Sequence, residues 1–447
     1  MELILTDLSR YVIALLMGMY TYWGFMGFAA KKKTRNRIIR RQRSLMYLFH
    51  FVGHGVIYLN TGDVKILGIY ICELAYFVGS QILFQKIFSE ENMPLVTQIH
   101  MLFSIGLSML VRLDFDIAKR QFVYVIIGTV LAAGMPWLLK HMKNLSTDGW
   151  FYSVLGVIML LLVMMFGTTK YGAKNWLIIG GVSLQPSEFV KVLFVLSFAG
   201  LFATESLAFK SILKMSAMAA AFVGVLVLEK DLGGALIFFI CYLFMLFVAT
   251  GKWSYLLEGF LAGTGASMVA YFLFGHVRTR VLAWRDPWGT IDNQGYQVAQ
   301  SLFAIGTGGW FGMGLTAGLP KTVPIRESDF IFAVISEEMG AVFAICIILI
   351  YLCCFIWMIN IAMRVNDMFG KYLVVGYSVI LLFQTFLTLG GVTKFIPSTG
   401  VTLPLVSYGG SSVLGTMIMF GVLMGVNVNE QRMVNDNAGQ VAEETKD

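Results

Sequence analysis

The chain has 447 residues, of which 57% are hydrophobic and only 13% are charged, and its formal net charge at pH 7 is +7. Soluble domains carry about 25% charged residues, so this composition excludes a water-soluble fold. Apolar runs of roughly 17–25 residues, enough to cross a hydrocarbon core of about 30 Å, recur from end to end. Because a lipid-exposed backbone must form hydrogen bonds within its own segment, the sequence predicts an all-α, polytopic integral membrane protein.

Thirteen apolar segments are predicted to span the membrane as helices. In chain order they cover residues 8–30, 44–60, 66–85, 93–111, 121–139, 150–167, 187–204, 211–228, 233–250, 253–274, 330–358, 371–390 and 404–427. The remaining stretch, 428–447, is polar and lacks periodicity, which predicts a disordered tail. The five cysteines all lie in apolar runs, which indicates packing residues rather than a disulfide framework.

The first connection between spans carries an orientation signal. Residues 31–43, KKKTRNRIIRRQR, contain eight Lys and Arg and no acid, so the rest of the chain has a net charge of −1. Short basic loops between spans lie in the cytoplasm. We therefore expect the N-terminus outside and, after thirteen crossings, the C-terminus in the cytoplasm. Positive charge concentrated in this way is a topology signal, so no nucleic acid partner is expected.

One outer connection, residues 275–329, is long and carries both basic and acidic side chains. Loops of this length inside a compact fold are usually functional or disordered. Its segment GYQVAQSLFAIGTGGWF, residues 295–311, places apolar residues at helical spacing, which predicts a short amphipathic helix at the membrane interface. The chemistry of the protein is therefore expected at the outer face.

Ionisable residues inside or beside the spans are functional candidates. Glu188 and Lys191 are three residues apart and share one helical face. Asp231 and Asp329 lie at other outer turns. Because these charges gather on one side of the membrane, the sequence favours a shared outer cavity. The alternative is that they are paired structural charges at the headgroup level.

Two histidines, His50 and His54, are four residues apart in the second span, a spacing that also suits a metal or haem. His54 and Glu73 fall at similar depth on consecutive helices. The preferred interpretation is a structural hydrogen bond between His54 and Glu73 within an N-terminal three-helix unit. Metal binding is the alternative.

Six segments together resemble one known family. They read, in chain order, GAKNW (172–176), LQPSEFVK (184–191), KDLGGALI (230–237), GYQVAQSLFAIGTGGWFGMGL (295–315), ESDFIFAVISEEMG (327–340) and TKFIPSTGVTLPLVSYGGSS (393–412). They resemble the SEDS proteins (shape, elongation, division and sporulation), among them RodA, FtsW and SpoVE. The resemblance covers residues 93–427 and implies a ten-helix core there, preceded by about three extra transmembrane helices in residues 1–92.

The resemblance implies a peptidoglycan glycan polymerase in the bacterial cytoplasmic membrane. The family transfers a growing glycan from undecaprenyl pyrophosphate to the 4-hydroxyl of the next lipid II disaccharide, with inversion, at the outer face. A class B penicillin-binding protein, a transpeptidase, is the implied partner. The family's essential aspartate corresponds to Asp329, which is assigned as the general base or as the ligand of a divalent cation, Mg²⁺ or Mn²⁺.

Further site residues follow from the same resemblance and from chemistry. The family's membrane Glu and Lys correspond to Glu188 and Lys191, and the aspartate of its QPDLG motif corresponds to Asp231; all three are implied to bind substrate. A departing pyrophosphate needs positive charge. Four bases of the outer loop are therefore candidates on chemical grounds alone, namely Arg280, Arg285, Lys321 and Arg326.

The sequence departs from the family pattern at several positions. Asn175 stands where Arg is usual, QPDLGT reads EKDLGG, and HTDF reads ESDF, so the detailed substrate contacts stay open. Two other functions also stay open. One is a flippase for lipid-linked precursors, which is expected to place charges near the membrane midplane. The other is a non-catalytic scaffold of a division or sporulation complex, in which Asp329 would be dispensable.

Overall fold

The computed structural model describes residues 2–142, 145–170 and 172–444. Twelve of the described helices are long and apolar enough to cross a membrane, which confirms the predicted polytopic helical fold. In chain order, the α-helices are α1 Glu2–Ala29, α2 Lys32–Thr61, α3 Lys65–Ile87, α4 Met93–Leu113, α5 Phe115–His141, α6 Gly149–Phe166, α7 Pro186–Thr204, α8 Phe209–Leu228, α9 Leu232–Thr250, α10 Trp253–Leu273, α11 Gly275–Arg285, α12 Tyr296–Gly308, α13 Ile331–Ala362, α14 Met368–Val392 and α15 Gly410–Glu444.

The N-terminal helices α1 and α2 form a hairpin with a short turn. The prediction of a basic loop at residues 31–43 is wrong, because α2 begins at Lys32 and continues through the predicted span 44–60. Lys, Arg and Gln are good helix formers, so a basic segment joined to an apolar span extends it as helix. Helix α2 is not one of the twelve. Its first turn lies beside the turn before α4, where Lys32 Nζ is 3.0 Å from Glu90 Oε2.

The last helix, α15, continues well past the apolar span and is described to Glu444. The structure therefore describes helix as far as Glu444 in the stretch 428–447 for which disorder is predicted, and residues 445–447 lie outside the described residues. Glu, Gln and Ala favour helix. Extending a helix that the span has already nucleated also costs far less than starting a new one.

A small three-stranded sheet precedes α7, an element that the all-α prediction does not include. The strands β1 (Thr168–Lys170), β2 (Ala173–Ile179) and β3 (Val182–Leu184) pair antiparallel in chain order. Gly180 and Gly181 join β2 to β3 with φ angles of 58° and 82°. Positive φ at both positions is the backbone of a two-residue hairpin turn. The sheet leads directly into the start of α7.

The long connection, residues 275–329, is structured and packs on the bundle. The amphipathic helix predicted within residues 295–311 is confirmed as α12, which packs against α13. A second helix in this connection, α11, has no counterpart in the sequence prediction. The connection therefore covers one end of the bundle instead of forming a free loop.

A break in α13 anchors this connection. Gly340 interrupts α13 with a φ of 82°, which frees main-chain groups on either side. Met313 N–H donates to Glu337 O at 2.9 Å, and Ala341 N–H donates to Gly309 O at 2.9 Å. Buried main-chain groups need such partners, so the break and the connection stabilise each other.

Helix α4 lies at the centre of the bundle, with its whole apolar window buried, and it packs against α2, α5 and α13. The loop between α14 and α15, residues 393–409, crosses it at Gly106. A Cβ on Gly106 would lie 2.6 Å from the carbonyl oxygen of Val406 and 2.9 Å from its Cα. Glycine has no Cβ, so the loop is able to rest directly on the helix backbone.

Gly106→Ala is expected to lower the free energy of unfolding by about 1–3 kcal/mol, because the added methyl overlaps main-chain atoms of Val406. Gly134→Ala is the matched control. Gly134 also lies in a helix, but nothing comes within 4 Å of its Cβ position, and Ala favours helix over Gly by about 0.8–1.0 kcal/mol. The midpoint of thermal unfolding in detergent should fall for Gly106→Ala and should stay unchanged or rise for Gly134→Ala. A wild-type midpoint for Gly106→Ala would contradict this packing.

Candidate functional site

A cavity of ≈ 1100 Å³ opens at the end of the bundle where α5, α7, α9, α13 and α15 begin. The elements around its mouth are the sheet, the connection 275–329 and the loop 393–409. Five residues that the sequence analysis singles out line this cavity, namely Glu188, Lys191, Asp231, Arg280 and Asp329. The fold thus brings together side chains that are far apart in the sequence.

Asp329 lies two residues before the first residue of α13. Ser328 Oγ donates a hydrogen bond to Asp329 Oδ1 at 2.7 Å. Burial raises the pKa of the Asp329 carboxyl above its usual value, and the hydrogen bond from Ser328 and the positive charge of Arg280 oppose that rise only in part. The cavity therefore holds a carboxylate that is a stronger base than a solvated aspartate.

Hydrogen bonds fix this acidic segment to the loop before α15. Tyr408 N–H donates to Glu327 O at 2.8 Å, and Ser407 Oγ donates to Ser328 O at 2.6 Å. Gln121 of α5 supports the same loop, because its Nε2 donates to Ser407 O at 3.0 Å. The loop before α15 therefore holds the segment that carries the carboxylate, and α5 supports it through that loop.

Glu188 and Lys191 form the ion pair that their spacing predicts, with 2.7 Å between Lys191 Nζ and Glu188 Oε2. Both side chains are buried, at 7% and 3% exposure. Lys191 Nζ also donates to Gln384 Oε1 at 2.8 Å, and Gln384 Nε2 donates to Thr402 O at 3.1 Å. Gln384 is not among the predicted site residues, although a glutamine inside an apolar span indicates a functional or packing role. Because Lys191 has two partners, Glu188 and Gln384, it links α7 to α14 and is not available as a free cation.

Asp231 caps the start of α9. Its Oδ1 accepts from Gly234 N–H at 2.8 Å, and its Oδ2 accepts from Asn175 Nδ2 at 2.9 Å. Asn175, one of the departures from the family pattern, thus ties β2 to α9. Since both oxygens are engaged, the contacts favour a structural role for Asp231 over the predicted contact with substrate. Burial and the nearby Asp231 raise the pKa of Glu229 to about 8, so this neighbouring carboxyl is mostly neutral at pH 7.

Arg280 borders the same space as Asp329. Its Nη1 donates to Ser398 O at 3.2 Å. A Cβ on Gly400, whose φ is 74°, would lie 3.8 Å from Arg280 Nη2 and 3.6 Å from Asp329 Oδ2. Burial lowers the pKa of Arg280, and the charges of Asp231 and Asp329 act in the opposite direction. The guanidinium and the carboxylate therefore influence each other electrostatically across a small gap.

The other three predicted phosphate-binding bases, Arg285, Lys321 and Arg326, do not line this cavity. Arg285 is exposed and lies five residues after Arg280 on α11, which places it roughly 140° away around the helix axis. Lys321 is exposed in the turn Pro320–Thr322, and Arg326 lies outside the lining. Their prediction rests on charge alone, and charge does not specify the face of the connection on which a side chain lies.

Two other cations line the cavity instead, Arg120 and Lys230. Arg120 extends from the first turns of α5, and Lys230 lies in the turn before α9 with a φ of 65°. Arg120 has the sequence context of an ordinary base at the end of a span. Lys230 begins the segment KDLGGALI, but it is not among the predicted site residues. With Arg280, the two cations place positive charge around the mouth.

Away from the cavity, the structure brings His54 and Glu73 together as the sequence predicts. His54 Nε2 lies 3.2 Å from Glu73 Oε2. His50 joins them, with its Nε2 3.1 Å from the same oxygen, a contact that the sequence interpretation does not include. This cluster lies in the N-terminal helices α2 and α3.

The family model for FtsW, RodA and SpoVE, described as "Cell cycle protein", matches residues 81–432. The "Peptidoglycan glycosyltransferase RodA" of Mycobacterium tuberculosis is 34% identical over 366 residues, covering 76% of this chain and 78% of the relative. The "Probable peptidoglycan glycosyltransferase FtsW" of Thioalkalivibrio sulfidiphilus is 34% identical over 326 residues, covering 69% of this chain and 80% of the relative.

Solved structures have the same fold. One, described as "Structural coordination of polymerization and crosslinking by a peptidoglycan synthase complex", matches with a TM-score of 0.64 and 27% identity, covering 75% of this chain and 97% of the other. The rod shape determining protein RodA of Thermus thermophilus matches with a TM-score of 0.58 and 24% identity, covering 75% and 96%. These matches confirm the resemblance drawn from the six segments. The chain belongs to the FtsW/RodA/SpoVE family.

Proposed function

We propose that this protein polymerises peptidoglycan glycan strands from lipid II at the outer face of the bacterial cytoplasmic membrane. The observation that carries the proposal is a half-buried carboxylate of raised pKa, Asp329, near a guanidinium in a cavity lined in part by polar side chains at one end of a membrane bundle. Membership of a family whose members are named peptidoglycan glycosyltransferases supports the same reaction.

Asp329 is the proposed general base. Its carboxylate takes the proton of the 4-hydroxyl of the acceptor sugar, and the hydroxyl oxygen attacks the anomeric carbon of the donor glycan. The bond from that carbon to the pyrophosphate breaks, and its electron pair leaves with the phosphate oxygen, which inverts the configuration. Pyrophosphate leaves readily as an anion, so this reaction needs one base and no partner acid, unlike glycoside hydrolysis. Binding of Mg²⁺ or Mn²⁺ by Asp329 stays a prediction, and no step here depends on it.

The pyrophosphate is proposed to lie toward Arg280, Arg120 and Lys230, the cations that line the cavity without belonging to the Glu188 pair. The starts of α7, α9 and α15 also lie at this end of the bundle. Helix N-termini carry partial positive charge and favour anions. Cations and dipoles that are already in place stabilise a charge that grows during the reaction.

The proposed orientation is supported by the charges at the two ends of the bundle. The basic half of α2 lies at the end opposite the cavity, close to the ion pair of Arg364 Nη1 with Glu91 Oε2 at 2.6 Å. Basic segments stay in the cytoplasm, which supports an outer cavity, an outer N-terminus and a cytoplasmic C-terminus. A complex that couples polymerisation to crosslinking is described for one structural relative. It supports a class B penicillin-binding protein as the partner.

Asp329→Asn is expected to lower the rate of glycan polymerisation at least about 100-fold, because an amide cannot accept the hydroxyl proton. The measurement uses purified protein with its cognate penicillin-binding protein and labelled lipid II, with glycan length read on gels. Asp292→Asn is the control, since Asp292 is exposed in the same connection and does not line the cavity. Full activity of Asp329→Asn would contradict the assignment of Asp329 as the base. Absence of polymer from the wild type would favour a scaffold, and movement of intact lipid II across vesicles without polymer would favour a flippase.

The acidic limb of the pH–rate profile is expected to depend on Arg280. Asp329 must be ionised to act, so the rate should rise with pH through the raised pKa of its carboxyl. Arg280 lowers that pKa, so Arg280→Gln should move the limb to higher pH, and Arg280→Lys should leave it nearer the wild-type position. The midpoint of the limb is the readout, because loss of pyrophosphate binding lowers the plateau without moving the midpoint. A limb that stays in place or moves to lower pH in Arg280→Gln is incompatible with this coupling.

A further inference from the structure

Two imidazoles and one carboxylate meet inside the N-terminal helices, remote from the proposed active site. His50 Nε2 and His54 Nε2 lie 3.1 Å and 3.2 Å from the same oxygen, Glu73 Oε2. All three side chains are buried, at 0%, 1% and 0% exposure. Among the described residues, these three side chains form the group of His, Cys, Asp or Glu that could hold a metal ion. Their possible ligand atoms all lie within 4.8 Å of one another.

The hydrogen bonds of the two rings restrict the protonation of the cluster. His54 Nδ1 lies 3.0 Å from the carbonyl oxygen of His50. A carbonyl only accepts, so Nδ1 carries a proton, and a neutral His54 directs the lone pair of Nε2 at the carboxylate. His50 Nδ1 contacts Ser104 Oγ at 3.0 Å. A positive species between the Nε2 atoms and Glu73 is therefore needed, either a proton or a metal ion.

A proton satisfies this cluster less well than a metal ion. With His54 as imidazolium and His50 as a neutral donor, both Nε2–H groups approach the same oxygen of Glu73, yet neither contact has the geometry of a hydrogen bond. The second oxygen, Oε1, is then buried without a hydrogen-bond partner among the described residues, which costs free energy in an apolar interior. A metal ion can take either or both carboxylate oxygens as ligands.

The geometry also suits a metal ion. For a tetrahedral ion with ligands at about 2.0–2.1 Å, neighbouring ligand atoms are about 3.3 Å apart, close to the observed separations of 3.1 Å and 3.2 Å. Each ring has its other nitrogen held by an oxygen, of Ser104 or of the His50 main chain, as is usual around metal-bound histidines. Two imidazoles and one carboxylate are the donor set of Zn²⁺ and Fe²⁺ sites that leave a position for water.

We propose that His50, His54 and Glu73 bind one divalent first-row transition metal ion of the Zn²⁺ class. Such an ion joins α2 to α3 directly, and Ser104 joins its His50 ligand to α4 of the family core. The site therefore supplies a role for part of the added N-terminal helices, which is to fasten them to the core. This inference does not depend on the proposed polymerase activity.

The test is the metal content of the purified full-length chain in detergent. The protein is loaded with Zn²⁺, desalted, and assayed by inductively coupled plasma mass spectrometry. Wild-type protein should retain about one Zn²⁺ per chain, and His54→Gln should retain at least about tenfold less, since even changes to outer partners of a ligand cost 10–100-fold in affinity. His100→Gln is the matched control, because His100 is buried on α4 with its Nε2 3.1 Å from Ser80 Oγ and outside the cluster. Its metal content should equal that of the wild type.

Loading with Co²⁺ gives a second readout that does not depend on variant stability. Wild-type protein should develop visible absorption bands of tetrahedral or five-coordinate Co²⁺, and Zn²⁺ should displace them. Metal-free wild-type protein, with no Co²⁺ bands and no thermal shift on adding Zn²⁺, would overturn the proposal in favour of a protonated pair. If folded His54→Gln or Glu73→Gln retained a full equivalent of Zn²⁺, the proposal would be overturned as well. His141 or His276 would then be the candidate ligands.

Discussion

Two distant stretches of the chain, residues 327–328 and 407–408, share hydrogen bonds at the mouth of the cavity, and the position of Asp329 depends on them. The loop that carries the second stretch rests on α4 at Gly106, so the centre of the bundle supports the carboxylate through the loop. Because that carboxylate is half-buried in this frame, its basicity is set by the balance between partial burial on one side and the Ser328 hydrogen bond and the charge of Arg280 on the other.

The remaining charges around the cavity divide into those that build the wall and those that face the space. Lys191 and Glu188 neutralise each other, Asp231 is used by a helix cap and by Asn175, and Glu229 is mostly neutral at pH 7. Glu327 and Asp329 remain at the mouth of the cavity, and the proposed function gives the reactive role to Asp329. A lipid diphosphate carries several negative charges, and a cavity in which Glu188 and Asp231 are already engaged is suited to receive it.

Much of the fold and part of the site could be predicted from the sequence, because those features are local. Helical spans follow from apolar runs, and the Glu188–Lys191 pair follows from their spacing of three residues. Contacts made by the fold could not be predicted in this way, such as that of Lys191 with Gln384 across 193 positions. The family resemblance located Asp329 correctly within the cavity, whereas charge alone could not distinguish Arg280 from bases on other faces of the connection. The division of the chain near residue 93 stays a prediction, although the family match begins at residue 81, inside α3.

The proposed function requires the Asp329 position to face a cavity that a lipid head group reaches from outside the cell. Asp329→Cys in a Cys72→Ser background tests it most directly, since the other four native cysteines are buried and a membrane-impermeant maleimide reports the side of access. The account predicts labelling in right-side-out vesicles that slows when lipid II is added. Labelling only in inside-out vesicles, or labelling that lipid II leaves unchanged, would contradict it.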